Sequence, residues 1–175
     1  MITYQVLSQE HVVQLNEIDR SEHIDLIYEM NKGQLIEVEQ DHECPNWNED
    51  LLNEIKTRYL SELQQGGFAV GAFSGSKLVG FGVLAHKFRG DDNDRLQVDL
   101  MYVTREYRRQ GIGTSIMTQL GEEARRRGAK YLYISSTETR SAVSFYRSQG
   151  SRITEEIDRE LFDKEPLDVH MVKEL

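Results

Sequence analysis

A short glycine-containing turn between a predicted strand and a predicted helix has the residue types of an anion-binding site. The turn is Arg108-Arg-Gln-Gly-Ile-Gly113, and Arg105 adds a third cation within five residues. The first amides of a helix lack acceptors within the helix, and the helix dipole is positive there. Glycines let a phosphate approach the backbone because no Cβ stands in the way. The turn therefore predicts a diphosphate site. The alternative is a solvated basic turn.

The spacing of apolar residues predicts the elements on either side of this turn. An apolar and β-branched run before it predicts a strand over 96–103. After it, apolar residues recur at four-residue steps and share one face of a helix over 111–127. These residues are Ile112, Ile116, Leu120 and Ala124. The turn is thus expected between the end of a strand and the start of an amphipathic helix.

A second motif, Ala142-Val-Ser-Phe-Tyr-Arg-Ser-Gln-Gly150, follows the next predicted strand. The first motif matches the Q/R-x-x-G-x-G/A signature of the GCN5-related N-acetyltransferase (GNAT) superfamily, and the second is similar to that family's A-x-x-F-Y-x-x-x-G helix. The resemblance covers residues 68–155 strongly. It implies an α/β GNAT fold, with a mixed central sheet flanked by helices, and acetyl-CoA as co-substrate. No third glycine stands where a dinucleotide-binding fold requires one.

The resemblance also implies which residues hold acetyl-CoA. Backbone groups of Met101, Tyr102 and Val103 are expected to contact the pantetheine arm at a splay or bulge of the strand. The extra apolar residue in 100–103 breaks strict alternation and is expected to form that bulge. The diphosphate is expected at Arg108, Arg109, Gln110, Gly111, Ile112, Gly113 and Thr114.

Two catalytic groups are expected, an acid and a base. By resemblance, Tyr146 protonates the departing thiolate. The alternative is a tyrosine whose ring only fills the core. Many relatives carry a glutamate where this chain has Gln97, which cannot accept a proton near neutral pH. Asp99, two residues further on and on the same face of a regular strand, is the candidate base. A water chain, an amine that arrives neutral, or the remoter Glu29 and His170 are the alternatives.

Composition narrows the classes of partner. The 175 residues suit one domain, and the formal net charge of −9 argues against nucleic acid, which needs a basic face. No apolar run is long enough to span a membrane, and no signal peptide is expected. A single cysteine, Cys44, cannot form an internal disulfide and fits a reducing cytoplasm. The five histidines lack metal-ligand spacing, so no metal is expected.

The region 23–66 is predicted to vary from the family core and to lie on the acceptor side. Two β-rich runs around Asn31-Lys-Gly33 predict a hairpin, and a helix is expected over 47–65. Residues 37–50 hold six acids and no lysine or arginine, with Trp47 among them. This run predicts either part of a cleft for a cationic acceptor, with the Trp47 ring facing it, or a solvated acidic loop with Trp47 packed on the core.

The other elements complete a single domain over residues 1–175, with 68–155 as the acetyl-CoA-binding core. A strand is predicted at 3–7, a helix at 9–17, and a second hairpin from strands at 68–73 and 78–87, whose Gly80 and Gly82 indicate close backbone approach or a bulge. A strand at 131–135 and a helix at 139–148 follow, and residues 152–162 and 167–173 are expected to complete the sheet.

These patterns predict an enzyme, an acetyl-CoA-dependent N-acetyltransferase. Its acceptor is expected to be an amine of a small molecule or a peptide, attacked directly in a ternary complex. The alternative is a non-catalytic acyl-CoA-binding regulatory module of the same fold, whose base was lost at Gln97. The sequence leaves the identity of the acceptor and the oligomeric state open, with a homodimer as one alternative.

Overall fold

Seven of the nine strands form one sheet in the computed structural model, which describes residues 1–175. The strands are β1 (Ile2–Leu7), β2 (Glu22–Asn31), β3 (Gln34–Cys44), β4 (Phe68–Ser74), β5 (Lys77–Arg89), β6 (Arg95–Val103), β7 (Tyr131–Ser136), β8 (Arg152–Ile153) and β9 (Val169–Glu174). The helices are α1 (Glu49–Gln64), α2 (Ile112–Arg126), α3 (Arg140–Ser148) and α4 (Arg159–Lys164), with 3-10 helices over Gln9–Glu17 and Arg105–Tyr107.

The sheet is mixed, as predicted. Its strand order is β1-β4-β5-β6-β7-β9-β8, and β2 and β3 form a separate two-stranded hairpin. Only β6 and β7 pair in parallel, while every other neighbouring pair is antiparallel. A parallel pair needs a crossover connection, and α2 supplies it. The turn that carries the first motif therefore lies at the end of β6, where this crossover begins.

Two apolar clusters cover opposite faces of the sheet. On one face, Ile116 and Leu120 of α2 pack with Tyr146 of α3. On the other face, Ile55 and Tyr59 of α1 pack above β4 and β5. The predicted arrangement of helices on both faces is confirmed. No helix is long and apolar enough to cross a membrane.

Gly82 of β5 allows α2 to approach the sheet closely. A Cβ built at this glycine would lie only 2.6 Å from Cγ2 of Ile116. Gly80 is also crowded, since its Cβ would lie 3.1 Å from Cγ2 of Ile112. The close approach predicted for these two glycines is confirmed.

β6 and β7 separate after a short parallel pairing. The register joins only 95–97 of β6 to 131–133 of β7. On the other side of β6, Val83 pairs with Leu100 and Leu84 pairs with Val98, so Asp99 is the extra residue of a β-bulge. The predicted splay is confirmed, but the bulge is not within 100–103 as expected. A wedge-shaped gap therefore opens between β6 and β7 toward their carboxyl ends.

The predicted hairpin before α1 is longer than expected and includes most of the acidic run. The second run of the predicted hairpin was expected over 34–39, but β3 extends to Cys44, so the interpretation of this segment as a loop is wrong for residues 40–44. β2 joins the body of the protein through the segment that follows β7. The amide of Tyr28 donates to the carbonyl of Glu138 at 2.8 Å, and Ile27 forms an isolated bridge with Thr139.

The prediction of a strand over 152–162 is wrong except at its first two residues. Only Arg152 and Ile153 pair with β9, and α4 follows. Asp158 begins this helix, because its side chain accepts a hydrogen bond from the amide of Leu161 at 3.0 Å. Leu161 is then buried against Tyr133. The segment at 9–17 is helical as predicted, but of the 3-10 type.

Candidate functional site

The amino end of α2 presents unpaired amides beside the gap between β6 and β7. Gly111 is the residue before the helix and has φ +83°, a conformation that favours glycine. A Cβ there would meet nothing within 4 Å, so the space above it is open. The amides of Gly111, Ile112, Gly113 and Thr114 donate no hydrogen bond within the protein. Their N–H groups can therefore bind an anion.

Gly113 is required for packing rather than for access to the backbone. A Cβ built on it would lie 2.9 Å from the ring of Phe145. This contact places α3 directly beside the start of α2. Gln149, just beyond α3, also donates to Oγ1 of Thr114 at 3.0 Å. The two sequence motifs are thus joined in space, which the separate patterns do not reveal.

Arg108 and Arg109 differ in their surroundings. The Arg108 guanidinium donates to the carbonyls of Val103 at 2.9 Å, Ser21 at 2.9 Å and Asp19 at 3.3 Å. Its side chain therefore anchors the end of β6 to the segment after the first 3-10 helix. Arg109 is exposed and makes no hydrogen bond or ion pair within the protein. Of the two, only Arg109 has a cationic head free to meet a diphosphate.

The side chains of the predicted pantetheine-contacting residues alternate between the two faces of β6. Met101 and Val103 pack on the α2 side, while Tyr102 packs on the α1 side. The Tyr102 ring lies against Trp47, with centroids 4.8 Å apart in an edge-on arrangement. Trp47 is therefore packed against the sheet, the second of its two predicted arrangements. The β7-facing edge of this part of β6 has no strand partner.

Tyr146 lies at the base of the gap. Only 9% of its surface is exposed. Its hydroxyl has no hydrogen-bond partner in the protein and is not among the fully buried unpaired polar atoms, so a ligand in the gap can reach it. Burial raises the pKa of Tyr146 above its ordinary value, and the nearby Tyr102 and Asp168 add to this shift. The hydroxyl therefore stays protonated throughout the neutral range. A neutral hydroxyl with no protein acceptor can donate its proton to a leaving group.

The carboxylate of Asp99 is held in an ion pair. Nη2 of Arg58, from α1, lies 2.9 Å from its Oδ1 and also donates to its backbone carbonyl at 3.0 Å. Gln97, two residues earlier, is 6% exposed. Asp99, the base expected from the sequence, thus has its charge balanced by a guanidinium. The proximity of Arg58 could not be foreseen from sequence, because α1 and β6 are far apart in the chain.

Asp168, which directly precedes β9, lies beside the end of β7 and was not indicated by any sequence pattern. Ser135 of β7 donates from its Oγ to Oδ2 of Asp168 at 2.8 Å. Burial raises the pKa of the Asp168 carboxyl to about 6, although the Ser135 hydrogen bond opposes this shift. No local motif surrounds Asp168, so the sequence carries no signal for it.

The two remoter candidates for the base lie in different environments. Glu29 is exposed on the hairpin. Burial is the main cause of the raised pKa of Glu138, and the charge of Glu29 raises it further. His170 is 4% exposed, and its Nδ1 lies 2.6 Å from the hydroxyl of Tyr133. Burial lowers the pKa of His170, so this ring stays neutral beside α4.

Comparison with known proteins identifies the same fold. Residues 24–150 match the family model described as "Acetyltransferase (GNAT) family". A nourseothricin acetyltransferase structure is 22% identical, with a TM-score of 0.74 over 99% of this chain and 98% of that one. A candidate streptothricin acetyltransferase from Bacillus anthracis str. Ames, in complex with acetyl coenzyme A, is 16% identical, with a TM-score of 0.76 over 100% and 99% of the two chains.

A third structure, the PaiA N-acetyltransferase from Thermoplasma acidophilum in complex with coenzyme A, is 18% identical, with a TM-score of 0.65 over 100% of this chain and 99% of that one. A search of curated protein sequences gave no match. At these identities the structural likeness establishes the fold alone.

Proposed function

The chain belongs to the acetyltransferase (GNAT) family, and from that premise we propose that it transfers the acetyl group of acetyl-CoA to an amine nitrogen. The observation that carries the proposal is the gap between β6 and β7. It has the unpaired amides of α2 at one side and the hydroxyl of the nearly buried Tyr146 at its base. An anion-binding turn and a proton donor thus flank one opening.

The residues present suit acetyl-CoA. Amides of Gly111 to Thr114 would hold the diphosphate, and Arg109 would add a cationic partner. The backbone of 101–103, unpaired on its β7 side, would hold the pantetheine arm. Acetyl-CoA supplies an activated acetyl group as a thioester. Two of the structural neighbours hold acetyl-CoA or coenzyme A, which supports this assignment.

Direct attack within a ternary complex is the proposed route. The amine nitrogen forms a bond to the carbonyl carbon as the carbon–sulfur bond breaks, and the thiolate receives the proton of Tyr146. Unpaired donors along β6 would stabilise charge on the carbonyl oxygen. A covalent enzyme intermediate is not needed, because direct attack requires only that the amine and the thioester be held together in one opening.

We propose a cationic amine of a small molecule or peptide as acceptor, approached through the region 23–66. An open depression of about 660 Å³ runs along α1 and is lined by Asp50, Asn53, Glu54, Thr57 and Arg58. Two carboxylates in this depression would attract an ammonium group. The nourseothricin and streptothricin acetyltransferases, similar over their whole lengths, make these antibiotics the first compounds to test. Residues 1–175 would act as one domain, located in the cytoplasm.

One observation favours the alternative, an acyl-CoA-binding module without catalysis. Gln97 cannot accept a proton, and Asp99 is paired with Arg58.

A thiol-release assay with acetyl-CoA separates the two functions. The amines to test are streptothricin, spermidine, free amino acids and a lysine peptide, and the products are identified by mass spectrometry. We expect acetylated products that resist hydroxylamine, as amides do and esters do not. Tight binding of acetyl-CoA without acetylation of any amine would refute the proposed acetyltransferase activity and favour the binding module.

A further inference from the structure

We propose that the carboxylate of Asp168 accepts the proton of the acceptor amine, and that Ser135 is its positioning residue. This inference rests on the proposed acetyl transfer and names the base that the sequence does not supply. It replaces Asp99, the base expected from the sequence.

The hydrogen bonding of Asp168 leaves one oxygen available. Ser135 donates to Oδ2 at 2.8 Å, while Oδ1 has no hydrogen bond or ion pair within the protein. Ser135 pairs with His170 in the β7–β9 ladder, so the serine is held by a regular strand next to Asp168. The fixed oxygen orients the carboxylate, and the free oxygen can take a proton.

Asp168 lies beside the end of β7, on the face of the sheet away from α2, because its partner Ser135 alternates along β7 with Leu132 and Ile134, which pack in the α2 cluster. The charge of Asp168 contributes to the raised pKa of both Tyr146 and Tyr102, so the three side chains are neighbours. Tyr146 reaches this gap from α3 and Tyr102 from β6. Proton acceptor and proton donor therefore lie around the same opening, one for the incoming amine and one for the departing sulfur.

The charges that face Asp168 come from three other segments. Burial raises the pKa of Asp168 to about 6, Ser135 opposes this, Glu165 and Glu138 raise it further, and Arg58 lowers it. Glu138 lies between β7 and α3, Glu165 follows α4, and Arg58 lies on α1. The balance leaves a carboxylate that is ionised at neutral pH yet more basic than an exposed aspartate.

The other acidic and basic groups nearby are less suitable. Asp99 is bound by Arg58 at 2.9 Å, and protonating it would break that ion pair. His170 follows Asp168 by two residues, but it is buried against Tyr133. Glu165 is exposed to solvent. Glu138 is the one close competitor, because it is partly buried and its pKa is also raised by burial.

The proton balance is complete with the groups named. The ammonium nitrogen gives one proton to Oδ1 of Asp168, which releases it to solvent, and the nitrogen lone pair then forms the new bond to the carbonyl carbon. The attached nitrogen still carries one surplus proton, which the ionised Asp168 accepts as the carbon–sulfur bond breaks and the hydroxyl proton of Tyr146 moves to sulfur. Solvent takes this second proton from Asp168 and returns one to Tyr146, so each turnover releases one net proton and needs no further reactant.

The test is the pH dependence of kcat/KM with acetyl-CoA saturating and streptothricin as acceptor, or spermidine if streptothricin is not acetylated. The wild-type rate should rise through pH 6, because Asp168 must be ionised to accept a proton. Asp168→Asn should remove this rise and lower the plateau about 10²–10⁴-fold. The Ser135 hydrogen bond stabilises the ionised carboxylate and lowers the pKa of Asp168. Ser135→Ala removes this bond, so the rise in rate should move to higher pH. A purely structural serine would not move it.

Glu165→Gln and Glu138→Gln are the matched controls, and both should keep the rise, moved to lower pH because each removes a charge that raises the pKa of Asp168. The inference is overturned if Asp168→Asn keeps both the rise and the rate, or if Glu138→Gln removes the rise instead.

A readout independent of any acceptor is the carboxyl ¹³C titration of wild-type protein, with the Asp168 resonance assigned by its absence in Asp168→Asn. Titration of that resonance at the ordinary aspartate value would also overturn it. Failure of every amine in the panel, with Asp168 titrating near 6, would instead refute the acetyl transfer itself.

Discussion

Tyr146→Phe separates the catalytic role of Tyr146 from its structural one. The substitution removes one hydroxyl and keeps the ring within the cluster formed by α2, α3 and the sheet. Tyr146 is nearly buried and no protein group pairs with its hydroxyl, so the loss of the hydroxyl leaves no partner unsatisfied. The melting temperature should therefore change little.

The expected kinetic effect is large. Burial raises the pKa of the Tyr146 hydroxyl, so the hydroxyl is protonated at the pH of the assay and can donate its proton to the departing thiolate. Removing a positioned general acid lowers kcat by about 10²–10⁴-fold. The loss should appear in kcat, with the dissociation constant of acetyl-CoA largely kept, because the proton is transferred only in the transition state.

Tyr59→Phe is the matched control. The Tyr59 side chain is fully buried, and its hydroxyl donates to the carbonyl of Ser8 at 2.7 Å. The Ser8 carbonyl keeps the amide of His11 as a donor at 3.2 Å, so losing the Tyr59 hydrogen bond should cost about 0.5–1.5 kcal/mol. For a chain of this size each kcal/mol lowers Tm by about 2–4 °C. Tyr146→Phe should thus lower kcat and keep Tm, whereas Tyr59→Phe should lower Tm and keep kcat. Near-normal turnover by Tyr146→Phe, with chemistry shown to be rate-limiting, would place the acid elsewhere.

Three further outcomes are expected. Arg109→Ala should weaken the binding of coenzyme A far more than that of pantetheine, without changing Tm; equal losses for both ligands in calorimetry would contradict this. Arg108→Ala should instead destabilise the fold by about 2 kcal/mol in thermal melts, because the carbonyls of Val103 and Ser21 lose the guanidinium donor, while that of Asp19 keeps the amide of Arg105. Gly111→Asp should abolish acetyl-CoA binding in calorimetry, while Gly128→Asp, which has a similar positive φ at the other end of α2, should retain it. The pKa of Asp168 is raised from 3.8 to about 6, so the folded state loses stability as pH rises through that window. Asp168→Asn should therefore stabilise the fold above pH 6 by about 1–2 kcal/mol, after allowance for partial exposure, and have little effect below about pH 4 in urea melts.

The parts of the molecule that local spacing determines were predictable from sequence. The turn at Gly111 and the four-residue period of α2 follow from glycine conformation and helix geometry. The hairpin around Asn31-Lys-Gly33 follows from turn chemistry, and Gly33 indeed has a positive φ. Each of these signals lies within a few residues of the structure that it specifies.

The missed features depend on residues that are distant in the chain. Arg108 belongs to a basic motif, yet the carbonyls of Asp19 and Ser21 draw its guanidinium inward. Asp99 is bulged and paired with Arg58 of α1, which no spacing within β6 indicates. The raised pKa of Asp168 arises only once the last strand packs beside β7 and removes water from the carboxyl.

The C-terminal error has a similar origin. Residues 152–162 contain enough apolar and β-branched residues to suggest a strand. The chain instead turns at Asp158, whose carboxylate both begins α4 and pairs with Arg89 at 3.0 Å. Arg89 lies at the end of β5, so the local preference for a strand was overridden by a contact from a distant strand.

A crystal structure of the wild-type protein grown with coenzyme A tests the central claim most directly, because it shows where the cofactor's reactive and anionic groups bind. The phosphates of the diphosphate should accept hydrogen bonds from the amides of Gly111 to Thr114, with Arg109 beside them. The sulfur should lie in the gap between β6 and β7, within hydrogen-bonding reach of the Tyr146 hydroxyl and on the same side of the sheet opening as Asp168. Coenzyme A bound elsewhere, or with its sulfur remote from Tyr146, would contradict both the proposed site and the mechanism built on it.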